Sequence, residues 1–122
     1  MQASELVDQL FSSPLAKLVA LSDSAGTPRV VRARAGAVQA QLVLGADIVN
    51  ATLREFASRE RFGSVKQAVV SFTDATLLLS PLDERNTLVV VADADVNLGL
   101  FLSTCRSVLA NFAAGAGDGR GK

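Results

Sequence analysis

The chain changes its hydrophobic period several times, and each change marks a new element. Residues 4–13 place Leu6, Val7, Leu10 and Phe11 at helical spacing, with Ser4 positioned to cap the first turn. Pro14 closes that helix, because the residue before a proline is pushed out of the helical region. The apolar run Ala16–Leu21 reads as a strand, and the turn chemistry of residues 22–28 (SDSAGTP) follows it. Arg29–Arg34 (RVVRAR) reads as a second strand in a hairpin with the first. Its arginines suit a sheet edge, where charge discourages stray pairing.

From Ala37 to Arg61 the pattern predicts one long helix. Val38, Leu42, Gly45, Ala46, Val49, Leu53 and Phe56 form a continuous stripe at spacings of three and four. Leu44, Ile48 and Ala51 lie off that stripe, so the helix is apolar over more than one face. A surface helix needs only one such face, and the surplus calls for a second packing partner. Gly63 reads as the helix stop.

The period then becomes two. Ser64–Thr73 (SVKQAVVSFT) reads as a strand, Thr76–Ser80 (TLLLS) as the next, and Thr87–Ala92 (TLVVVA) as the last of a three-stranded meander. The last two are continuous apolar runs, as expected of strands covered on both faces, so the sheet sits between helices. Residues 96–112 carry a final helix with Leu98, Phe101, Leu102, Cys105, Val108, Leu109 and Phe112 on its buried stripe. The Gly/Ala-rich residues 113–122 read as a flexible tail after a single domain of residues 1–112. The predicted order is α-β-β-α-β-β-β-α, an α/β (α+β) fold.

If the strand 64–73 is an edge, Lys66 and Gln67 protect it poorly, and pairing with a second copy satisfies its backbone groups. The same partner would cover the over-apolar helix beside it. The expected homodimer interface is therefore Leu44, Ile48 and Ala51 on the helix with Val65, Gln67, Val69 and Ser71 on the strand.

Composition sharpens this picture chiefly by exclusion. The apolar fraction of 49% and mean hydropathy of +0.33 exceed what a small domain needs for its own core. Twelve basic and twelve acidic residues cancel, so no net field recruits nucleic acid or an anionic membrane. The N-terminus lacks the charge and apolar run of a signal peptide, and no apolar stretch reaches the ~20 residues that span a bilayer. With Cys105 as the lone cysteine, a reducing cytoplasmic setting is expected. The absence of His removes the usual triads and makes a zinc site implausible. No enzyme activity, catalytic residue, metal or cofactor is expected.

Several motifs have a plainer reading than their first impression. Asp93-Ala94-Asp95-Val96-Asn97 opens like a calcium loop, but Leu98 and Thr104 stand where Gly and Glu belong. A helix cap from Asp95 or Asn97 explains it better. Residues 116–122 (AGDGRGK) mimic a phosphate loop without the flanking strand or the Ser/Thr for magnesium. Cys105 reads as a packed thiol. Lys17, Arg29, Arg32 and Arg34 read as a solvated edge, since no aromatic residues interleave for base stacking.

The second half of the chain resembles the roadblock/dynein light-chain family. The resemblance rests on a Gly-terminated helix, the strand VKQAVV, the strand LLLSPL and the strand-to-helix junction TLVVVADADVNLGL. It covers residues 4–112 and is densest after 62; the hairpin turn departs from the family's GLP, with Gly26-Thr27-Pro28 there instead. The resemblance implies a five-stranded antiparallel sheet with one long helix on one face and two shorter helices on the other, an architecture shared in part with profilin. It implies a homodimer built by the long helix and the strand after it. It also implies binding of a small Ras-like GTPase, whose hydrolysis some bacterial members stimulate without supplying a catalytic side chain. The polar positions of the long helix, Asp47, Arg54, Glu55, Ser58 and Arg59, are the expected GTPase contacts. A purely structural subunit of a larger assembly and a small ligand-sensing domain or unusual enzyme remain as alternatives.

Overall fold

The computed structural model describes residues 3–23, 27–34, 40–83 and 85–120, and their side chains except those of residues 3, 28, 40–44 and 113–120. The elements are α1 (Ala3–Phe11), β1 (Ala16–Ser22), β2 (Pro28–Ala33), α2 (Ala40–Arg59), β3 (Ala68–Ser71), β4 (Thr76–Pro81), β5 (Thr87–Ala92) and α3 (Leu98–Arg120). The five strands form one antiparallel sheet in the order β2-β1-β5-β4-β3. The arginine-bearing β2 and the strand after the long helix, β3, are its two edges.

Alternation along the strands divides the core in two. Val19 and Leu21 of β1, Leu78 of β4 and Leu88 and Val90 of β5 meet Leu6, Val7 and Leu10 of α1 and Phe101 and Cys105 of α3 on one face. Leu18, Ala20, Leu77, Leu79, Val89 and Val91 point to the other face, where, among the described side chains, α2 adds buried Ala46 and half-buried Val49. β5 is buried along its whole length, as its unbroken apolar run foretells. Burying a Leu or Phe stabilises by about 1.5–3 kcal/mol, so among the described side chains α1 and α3 contribute more to their face than α2 does to its own. The α2 face is the thinly covered one.

Local chemistry sets the boundaries. Asn97 caps α3, its Oδ1 accepting from the Leu100 N–H at 3.0 Å, and this is the fate of the motif that opens like a calcium loop. Arg34 closes the other end of that layer. Its guanidinium donates to the carbonyls of Phe11, Ser13 and Ala16 and stands 4.6 Å over the Phe11 ring, tying the end of α1 to the start of β1.

Three boundaries differ from the sequence expectation. The strand expected over 64–73 is only Ala68–Ser71, because continuing its register would set Lys66 against Pro81, which has no N–H to donate. The stop of α2 lies not at Gly63 but at Arg61, in left-handed conformation (φ 59°). The Phe62 N–H returns to the Ala57 carbonyl at 2.8 Å and the Arg61 N–H to that of Ser58 at 3.2 Å, a Schellman closure with arginine where glycine is usual. The final helix continues to Arg120 through the residues expected to form a tail, making it, at 23 residues, longer than α2 at 20. Ala113, Ala114 and Ala116 favour that continuation. Val38, Gly26 and the side chains of Leu42 and Leu44 lie outside the described residues.

Candidate functional site

The site is the surface shared by α2, β3 and β4. On its inner face α2 buries Ala46, Asn50 and Ala57, with Leu53 half-buried. Asn50 is 1% exposed, a core position that hydrophobic periodicity does not single out. Its Nδ2 donates to Thr87 Oγ1 at 3.3 Å, and Thr87 is the register partner of Ser22 on β1. This row of small polar groups fixes α2 to the sheet where apolar residues would let it slide. Asn50 Oδ1 and Ser22 Oγ have no hydrogen-bond partner among the described residues.

The outer side of the same helix exposes apolar residues among the polar Arg54, Glu55, Ser58 and Arg59. Ile48 is 63% exposed and Phe56 51%, and beyond the helix stand Phe62 at 70% and Phe72 at 54%. Phe56 and Phe62 meet edge to face, with centroids 5.7 Å apart. Half of the six phenylalanines thus lie in water on this side of the molecule. The periodicity puts Phe56 in the buried stripe and gives no sign of Phe62 or Phe72. The signal available is the aromatic at the solvent end of an over-apolar helix.

Two hollows flank α2. An apolar groove of about 330 Å³ runs between its N-terminal half and the sheet, lined by Gly45, Ala46, Val49, Phe72, Ala75, Leu77 and Val91. A polar cleft of about 560 Å³ opens near its C-terminal end, where Arg54 and Lys66 line it with Ser64, Val65, Pro81 and Asp83. The Asp83 carboxylate is committed to its own loop. It is partly desolvated, but the N–H groups of Arg85 and Asn86 and the Asn86 side chain outweigh that and hold its pKa below the usual value.

The residues expected at the dimer interface divide between the two faces of the sheet. Ile48 and Ala51 are exposed on α2. Val65 and Gln67 are half-buried in the extended segment before β3, with Gln67 Oε1 accepting from Arg106 at 3.4 Å. Ser71 is exposed at the end of β3; the Val69 side chain, on the same face of the strand, packs against the α1–α3 core, the face opposite α2. The side chain of Leu44 lies outside the described residues. Of the expected GTPase contacts, Arg54, Glu55, Ser58 and Arg59 are exposed and Asp47 is half-buried. Glu55 and Arg59 pair with each other at 2.8 Å, while Arg54 faces the polar cleft.

The remaining candidates are absorbed by structure. Lys17 pairs with Asp93 at 2.6 Å, a hydrogen bond and charge contact that raise the lysine's pKa. Arg32 pairs with Asp8 at 3.0 Å, and Arg29 donates to Asn86 at 2.9 Å. The basic residues of the first hairpin are thus engaged one by one along β1 and β2. Burial pushes the Cys105 thiol up to about 11, which leaves it protonated and unreactive at neutral pH. Among the described residues no cluster could hold a metal ion, and no helix is long and apolar enough to cross a membrane.

No protein-family model matches the chain, and no curated protein matches it in sequence. Solved structures do match in shape. Myxococcus xanthus MglB superposes with a TM-score of 0.78 at 18% identity, over 89% of each chain. A Roadblock/LC7 domain from Streptomyces avermitilis gives 0.76 at 16% identity, over 93% of this chain and 97% of that one. A structure of MglB in a tetrameric arrangement gives 0.75 at 16% identity, over 93% and 90%. The chain has the fold of these Roadblock/LC7 and MglB structures, and the five-stranded antiparallel sheet with three helices expected from the sequence is the one observed, α3 being the longer helix.

Proposed function

We propose that this protein is a roadblock-type regulator or scaffold that works as a homodimer and binds a small Ras-like GTPase. The observation that carries the reading is the thinly covered α2 face, with Ile48, Phe56 and Phe72 in water beside the unpaired edge β3. Exposed apolar surface next to an open sheet edge is a surface for association. The likeness to MglB, in one case in a tetrameric arrangement, favours self-association and a role in a GTPase pathway.

In this reading the α2–β3 surface makes the dimer and the polar positions of α2 make the GTPase contact. Asp47, Arg54, Glu55, Ser58 and Arg59 supply charge of both signs, and Arg54 over the polar cleft is the side chain best placed to meet an acidic group of the partner. With no histidine in the chain and Cys105 buried, the protein orders the GTPase's own machinery and leaves the chemistry to it. The assay is GTP turnover and binding of a co-expressed small Ras-like GTPase, with and without this protein. Binding in one nucleotide state, with or without faster turnover, is the expected result, and absence of binding in both states would refute the GTPase assignment.

A further inference from the structure

We propose that the apolar groove beside Gly45 is the seat for the Phe56 ring of a second copy, so that two antiparallel α2 helices lock together through two equivalent ring-in-groove contacts. The proposal rests on the homodimer reading above and adds to it a register and a partner side chain.

Gly45, Val49, Thr52 and Phe56 recur at spacings of four, three and four and form one stripe along α2. The stripe begins at a hollow and ends at a projection. At Gly45, among the described residues, no atom beyond its own helix turn lies within 4 Å of where a Cβ would stand, and the adjoining groove holds about 330 Å³ between apolar walls. An apolar cavity of roughly 150 Å³ takes up benzene, so the groove has room for a phenylalanine ring. Phe56, 51% exposed, is that ring, steadied from outside by Phe62.

Two copies of the stripe fit each other only head to tail. Setting Gly45 opposite Phe56 of the second copy sets Val49 opposite its Thr52, and the two-fold axis repeats both contacts. No charged residue lies on the stripe, so no like charges meet across the axis. Phe72, on the groove wall and 54% exposed, would be covered by the same ring. An unrelated partner would have to bring both a ring and a groove at this spacing, whereas a second copy has both by construction. The groove also adjoins the end of β3, so the helix contact is continuous with the open edge.

The test is a bump-and-hole pair in the full chain. Gly45→Leu fills the groove and Phe56→Ala removes the ring; both sites face open space, and Leu and Ala are good helix formers, so each variant should fold. By sedimentation equilibrium each should weaken the homodimer at least tenfold, with an unchanged circular dichroism spectrum. Mixing the two should restore dimers. Phe56 of the Gly45→Leu copy finds an open groove in the Phe56→Ala copy, and the truncated side chain of the latter leaves space for the new leucine. Homodimers of both variants as tight as wild type, or no rescue on mixing, would overturn the register and leave the dimer standing. A monomeric wild type would overturn the dimer reading itself.

Discussion

At the scale of single residues, Arg61 shows how local backbone chemistry escapes a composition-based reading. A residue with a Cβ in left-handed conformation costs roughly 1–2 kcal/mol, a cost that glycine avoids. Arg61 bears it at φ 59° although Gly63 stands two positions on, itself at φ 88°. The sequence marks a stop near here but not the residue that makes it, since the closure depends on where Phe62 returns its N–H. Arg61→Gly should therefore stabilise the fold by about 0.5–1 kcal/mol, part of the relief being offset by the greater freedom of glycine in the unfolded chain. Urea denaturation would show this as a raised midpoint at constant slope, and a lowered midpoint would mean that the Arg61 side chain makes a stabilising contact. Asn50 is the complementary case. A polar residue between Ala46 and Leu53 interrupts an apolar stripe, and only the position of Thr87 across the sheet gives it a reason.

At the scale of elements, periodicity locates every helix and strand but not their lengths, because length depends on neighbours. β3 is short since Pro81 on the adjacent strand ends the ladder, and α3 runs on to Arg120 although Gly115, Gly117 and Gly119 disfavour a helix, an extension its composition does not announce. The same dependence decides which substitutions probe the interface. Ile48 is 63% exposed, so Ile48→Glu should alter the stability of a lone protomer by no more than about 0.5 kcal/mol. In a dimer that covers Ile48 it buries an unpaired charge, and the dimer should weaken at least tenfold, about 1.4 kcal/mol. Val69 behaves differently. Its side chain packs against the α1–α3 core, so Val69→Lys should lower stability at every protein concentration, by about 1–3 kcal/mol. Chemical denaturation and light scattering on both variants separate the two cases; an Ile48→Glu variant that stays dimeric at wild-type affinity would place Ile48 outside the interface.

At the scale of the whole molecule, the two sides of the sheet are unequal, and the sequence holds that inequality only as a surplus of apolar residues. One side is covered by Leu6, Leu10, Phe101 and their neighbours, with only Leu98 and Leu100 at the start of α3 exposed among the described large apolar residues; the other leaves Ile48, Phe56, Phe62 and Phe72 in water. In the proposed homodimer such a protomer would draw part of its stability from association, and its unfolding would then be linked to concentration. For a dimer that melts directly to unfolded chains, the enthalpy is about 0.7 kcal/mol per residue over both copies. A tenfold rise in protein concentration should then raise the melting midpoint by roughly 3 °C. Calorimetry over two decades of concentration measures this directly. A midpoint independent of concentration, together with a monomeric mass, would show that the α1–α3 face alone sustains the fold. The exposed aromatic side of α2 would then be kept for a different protein.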